Sequence, residues 1–147
     1  MSDVTREAGA FRWEGVPVVP YKEDGTHFKG VTRQVLVRDA EHLGAELRYF
    51  EIEPGGHSSL EQHGHVHAVM VVRGRGGCLV GETVYRVSAH DVVSVPPDTW
   101  HQFRAAPDEP LGFLCLVRCD RDRPRRPTDV DLASLRANAA VDAFIRV

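Results

Sequence analysis

The chain has 147 residues, 42% of them apolar and 27% charged, with a net charge of −3 at neutral pH. That length and composition fit a single globular domain with a full hydrophobic core. They argue against a broad basic field for nucleic acid, and the apolar runs are far too short to cross a bilayer.

Residues 1–30 are rich in Gly, Pro and charge and predict an extended arm with a short edge strand at "VPVV", residues 16–19. The arm starts "MSDVTREAGAF", with acids and no apolar stretch, so no signal peptide is expected. From Thr32 the texture changes. "TRQVLVRD", "AELRYFEIEP", "HAVMVVRG", "GCLVG", "TVYRVSA", "DVVSVPP", "HQFRAA" and "LGFLCLVRC" are short runs rich in β-branched or aromatic residues, each bounded by turn formers. Strands at this close spacing predict an all-β sandwich or barrel over residues 31–120, and the lack of helix-period segments argues against a parallel α/β sheet. "GETV", residues 81–84, reads as a hairpin turn. Residues 121–147 read as a linker and a helical segment. "RDRPRRP", broken by Asp122 and prolines, is a solvated linker rather than a phosphate groove. Thr128 can cap a helix, with Asp129 and Asp131 in its first turn. Val130, Leu132, Leu135, Val141, Phe144 and Ile145 are spaced for helical burial, in one helix or in two short ones broken near Asn138.

The three cysteines, at 78, 115 and 119, are an odd count without a secretion signal, so reduced thiols and a cytoplasmic location are expected. "LGFLCLVRC" reads as a buried strand, which favours core cysteines over a metal pair.

The eight histidines are concentrated in "EQHGHVH", where Glu61, His63, His65 and His67 stand at alternate positions. Alternate residues of a strand face one side, and a core-facing side should be apolar. A polar run in that phase, followed directly by "AVMVV", is the texture of a barrel interior approached through its mouth. Fully extended, His63 and His67 would stand roughly 13 Å apart and could not share one ion. A turn at Gly64–Val66 removes the difficulty: the chain doubles back, His63 and His67 become cross-strand neighbours, and His65 sits at the bend. "VPPDTWHQF" supplies a further candidate ligand, His101, after a proline-stiffened turn. "VVRGRGG" is not a phosphate loop, because it lacks the lysine and the helix that should follow.

In these motifs the sequence resembles the cupins. Their first motif runs glycine, five residues, His-x-His, three or four residues, Glu, six residues, Gly. Here Gly55, Glu61-Gln62-His63, His67 and Gly74 keep the spacing, with Glu and His exchanged. The second motif runs glycine, five residues, Pro-x-Gly, two residues, His, three residues, Asn. Here His90 stands for the first glycine, Pro96 and His101 fit, Asp98 stands for the second glycine and Ala105 for Asn. The resemblance covers about residues 45–118. It implies a double-stranded β-helix, or jelly-roll barrel, with one divalent metal at its mouth held by His63, His67 and His101, and by Glu61 or His65 as a further ligand. The run from His65 to Val117 also looks like the small zinc-containing cupin cyclases of aromatic polyketide biosynthesis.

That likeness implies a polyketide cyclase: aldol cyclisation and dehydration of a poly-β-ketone, with the metal as Lewis acid and Glu61 or His65, whichever is not a ligand, as base. Zinc is the expected ion, with iron, manganese or nickel the choice of a related dioxygenase or isomerase. A ligand-binding barrel without turnover is the remaining alternative. The expected pocket lining is Tyr49, Met70, Trp100, Phe103 and Phe113, facing a small-molecule substrate, which the cyclase likeness implies is an aromatic polyketide precursor. Cupins commonly pair through edge strands, so a homodimer is expected, with the arm long enough to cross to a neighbour.

Overall fold

The computed structural model describes residues 3–22 and 25–147; residues 1–2 and 23–24 of the expected arm lie outside the described residues. Ten strands precede two helices: β1 Glu7–Gly9, β2 Arg12–Trp13, β3 Val19–Pro20, β4 Lys29–Asp39, β5 Ala45–His57, β6 His67–Val80, β7 Thr83–Ser88, β8 Val92–Val95, β9 His101–Ala105, β10 Leu111–Arg118, α1 Asp129–Arg136 and α2 Ala139–Phe144. All pairings are antiparallel. β5 pairs with β10, β10 with β6, β6 with β9, and β9 returns to β5, which closes a barrel. β4 and β3 extend it beside β5, while β7 and β8 pair with successive halves of β6. "HAVMVVRG" and "GCLVG", which read as separate runs, are one long strand, β6.

The two-residue alternation sets what faces inward. Arg48, Phe50 and Ile52 of β5, Val69 and Val71 of β6, Phe103 of β9, and Phe113, Cys115 and Val117 of β10 are buried. Phe50 and Phe103 both stack on Phe113, with centroids 5.6 and 4.7 Å away, and form an apolar floor. Such offset aromatic pairs add stability beyond their buried area. Towards one end of the barrel the inward positions turn polar: Glu46, Arg48, His67 and His101.

Tyr49 is also buried, but on the outer face. The arm folds back on its own barrel there: Phe11 stacks on Tyr49 at 5.6 Å, Trp13 packs at 5.1 Å, and the Tyr49 hydroxyl donates to Glu51. Gly112 lies beneath that ring, where an added Cβ would meet the Tyr49 oxygen at 2.1 Å.

The C-terminal segment forms two short helices that meet at Asn138. Thr128 and Asp131 make a reciprocal capping box on α1, and the Asn138 side chain caps α2. Leu135, Val141 and Ile145 seal a second apolar cluster with Leu60 and Leu79. Among the described residues no helix is long and apolar enough to cross a membrane.

Candidate metal centre

The segment between β5 and β6 delivers the histidines. Glu61 exchanges two backbone hydrogen bonds with His101, and the Asp98 N–H donates to the His63 carbonyl, so both motif segments are tied together. The chain bends at Gly64–His65, within the turn expected at Gly64–Val66, but His63 and His67 are not strand partners: His67 pairs with Val95. The bend is held from outside. The Asp122 carboxylate accepts from the N–H groups of Gly64 at 2.7 Å and His65 at 3.1 Å. These bonds, with His65, hold the Asp122 carboxyl well below the usual carboxylate range.

His63, His67 and His101 converge: one ring nitrogen from each lies within 4.8 Å of the others. The other nitrogens decide the tautomers. His63 Nδ1 donates to the His65 carbonyl at 2.8 Å, and His101 Nδ1 donates to the Thr99 carbonyl at 2.9 Å. A carbonyl only accepts, so each Nδ1 carries the proton and each Nε2 presents a lone pair. His67 Nδ1 lies 2.8 Å from Cys115 Sγ, and its Nε2 lies 2.7 Å from His63 Nε2. Burial, reinforced by the neighbouring imidazoles, lowers His63 to about 4 and His67 to about 2, and burial lowers His101. Three imidazoles converging on one point, two of them with tautomers fixed so that Nε2 presents a lone pair, have the chemistry of a three-ligand metal site.

The remaining sequence candidates are distributed unevenly. Glu61 lines the cavity beside His67 and His101, and its carboxylate accepts from Lys22 Nζ at 2.7 Å. His65 stacks flat on His63 at 3.6 Å and donates from Nδ1 to Asp122 at 2.9 Å, outside the converging group. Phe103 and Phe113 line the cavity with Phe50, Tyr21 and Cys115. Tyr49 lies under the arm. Met70 is 41% exposed, because its strand phase points it outward. Trp100 packs on the helical cluster, with the Arg125 guanidinium over its ring. These last three positions do not reach the cavity.

Sequence reasoning did not bring Cys115, Asp122 or the cavity-lining cations Lys22, Arg33, Arg48 and Arg121 to the histidines, where the fold puts them. Only Arg48 carried a visible signal, being in phase with the inward Phe50 and Ile52. The motif departures leave a trace in the backbone. His90 and Asp98 replace motif glycines and keep left-handed conformations, with φ of 78° and 52°.

A cupin domain signature matches residues 48–117. Over 136 residues the chain is 54% identical to the 1-methylthio-D-xylulose 5-phosphate methylsulfurylase of Rhodospirillum rubrum, covering 92% of this chain and 86% of that protein. The chain belongs to the cupin superfamily. This cupin superposes on a cupin 2 conserved barrel domain protein from Rhodopseudomonas palustris with a TM-score of 0.93 and 50% identity, over 98% of this chain and 99% of that one. It shares its fold with the polyketide cyclase RemF from Streptomyces resistomycificus, at a TM-score of 0.72 and 19% identity, over 89% of this chain and 94% of that one.

Proposed function

We propose that this cupin is a metal-dependent enzyme acting on a small phosphorylated ketose that carries sulfur on the carbon beside its ketone. The observation that carries the reading is the pair of cavities at the three histidines. A small apolar recess, about 30 Å³, is walled by Phe50, Phe103, Phe113, Val31 and Cys115 and reaches His67 and His101. Next to it, sharing Tyr21, Phe50, Glu61 and His67, lies a larger cationic cavity of about 190 Å³. A compact substrate with an apolar thioether at one end, a carbonyl between and a phosphate at the other matches that order. Sulfur against aromatic edges is a favourable contact. The 54% identity to a protein named for a methylthio-xylulose phosphate supports the same substrate class.

When bound, a divalent ion would act as a Lewis acid toward the carbonyl oxygen, a contribution worth several kcal/mol. His63, His67 and His101 would hold it, and three protein ligands leave a position for substrate. Zinc suits the set, and so do iron, manganese and nickel. Breaking the carbon–sulfur bond with its electron pair kept on carbon puts charge on the ketone oxygen. A thiol, as its thiolate, attacks the sulfur as that bond breaks, so that an S–S bond forms to the methylsulfur group and the thiol's proton ends on the released carbon. On this reading Glu61, paired with Lys22 and lining both cavities, is the carboxylate that takes or returns a proton at the adjacent carbon.

Cyclisation of a poly-β-ketone is the second reading, through the fold shared with RemF. It shares the polarised carbonyl, but a cavity of about 190 Å³ is below the usual range for drug-sized ligands, roughly 300–1,000 Å³, and favours the smaller substrate. The test is direct. Metal-loaded protein, 1-methylthio-D-xylulose 5-phosphate and a small thiol are incubated, and carbon–sulfur cleavage is followed by mass spectrometry. Cleavage supports the reading; an unchanged substrate beside cyclisation of a poly-β-ketone mimic would reverse it.

A homodimer belongs to the same proposal. The outer faces of β6, β8 and β10 expose Met70, Val92 and Leu116 side by side, with Val92 at 67%. A concentration-independent monomer mass in solution scattering would remove it.

A further inference from the structure

The cationic cavity beside the histidines is built from four separate segments of chain. Lys22 follows β3, Arg33 lies on β4, Arg48 on β5, and Arg121 follows β10; all four line the same space, with His65 and His67 in its wall. Among the described residues Glu61 is the single acid of that lining, and it is bound to Lys22. Glu46, buried behind the rim, approaches Arg48 Nε and Arg121 Nη2 at 3.6 Å each and Arg38 Nε at 3.3 Å. Among the described residues, four cations stand against these two carboxylates, which leaves positive charge there in a chain whose net charge is −3. The Arg33 Nε–H is buried without a hydrogen-bond partner, while the Arg48 guanidinium is braced by Glu46 and donates from Nη2 to Cys115 Sγ at 3.5 Å. Cations drawn from separate segments to one cavity, with fewer carboxylates to pair them, suit an anionic ligand that supplies acceptors.

We propose that this cavity is the phosphate subsite, taking the phosphate monoester of a small ketose, with Arg33 and Arg48 as its anchors and Lys22 and Arg121 as its rim charges. The assignment rests on the reading that the site acts on such a ketose phosphate. A guanidinium presents a planar fork that matches phosphate oxygens, and charge-assisted bonds of this kind are among the stronger polar contacts. Because His67 and Glu61 belong to the same wall, a phosphate held here keeps the rest of a short sugar against the histidines. The subsite therefore sets which ketoses are held in register.

Calorimetric titration of D-xylulose 5-phosphate, D-xylulose and inorganic phosphate into the full-length protein tests this, with wild type and Arg33→Gln compared at equal metal content. The expected result is that the phosphorylated sugar binds wild type at least about tenfold tighter than xylulose, and that Arg33→Gln removes about tenfold of that affinity while leaving xylulose binding unchanged. Should Arg33→Gln fail to fold by circular dichroism, Arg33→Lys, which keeps the charge and loses the fork, is expected to show a smaller loss of the same sign. Equal binding of xylulose and its phosphate, unchanged affinity in the folded Arg33 variant, or binding of inorganic phosphate alone would each overturn the subsite. Carbon–sulfur cleavage is read separately. Arg33-dependent binding without cleavage retires the reaction and sustains the subsite, whereas cleavage with Arg33-independent binding does the reverse.

Discussion

His101 is the residue on which the centre turns. It comes from the second motif, its Nδ1 proton is fixed by the Thr99 carbonyl, and it supplies one of three converging ring nitrogens. His101→Ala leaves two ligands, and metal retention is expected to be lost; full occupancy by elemental analysis would contradict the assignment. Asp122 acts one step further out, through the bend and through His65. Asp122→Asn removes the carboxylate charge and one acceptor, and an affinity loss of roughly 10–100-fold is expected in a competitive chelator titration, the usual size of an outer-partner effect. His63, His67 and His101 were legible in the sequence because motif spacing and histidine chemistry agreed. Asp122 was not, because a carboxylate in a Pro-Arg linker reads as solvated until the fold brings it 58 residues back along the chain to Gly64. Tyr49, Met70 and Trp100 were chosen for being aromatic or apolar, and strand phase sends the first two to the outer face.

At the scale of elements the strand reading held because punctuation and β-branched runs are local signals. The continuity of β6 was not local: β7 and β8 cover its two halves, and its glycines at 74, 76 and 77 read as a break. Gly76 is instead a close approach to β9, where an added Cβ would meet the Arg104 carbonyl oxygen at 2.0 Å. The helical tail was readable from its caps. Thr128→Ala breaks the capping box and is expected to cost about 1 kcal/mol in denaturant unfolding; no change would show that the tail does not unfold with the barrel. The turn before β8 gives a prediction of opposite sign. His90 holds a φ of 78° where the cupin motif has glycine. His90→Gly is expected to raise stability by up to about 1 kcal/mol, the relieved left-handed strain exceeding glycine's added entropy. A lowered midpoint would mean that the imidazole makes compensating contacts.

The whole molecule couples the centre to stability. His63 and His67 are held neutral in the fold, at about 4 and about 2, against about 6.5 in the unfolded chain. Below about 6.5 the unfolded chain takes up protons that these two residues refuse, so metal-free protein loses stability as pH falls from 6.5 toward 4. Its melting temperature should be flat above pH 7 and decline through that window; an independence of pH between 7 and 5 would contradict the buried neutral cluster. A metal held by the three converged imidazoles would bind the folded state, so loading is expected to raise the melting temperature in proportion to the logarithm of free metal over its dissociation constant. The measurement that bears most directly on the account is elemental analysis of freshly purified, untagged protein, repeated after chelation and metal titration. The expected result is one divalent ion per chain, lost on chelation, restored on titration, and absent from His101→Ala. Protein that carries no metal and takes up none would leave the three imidazoles as a buried polar cluster and remove the catalytic reading with them.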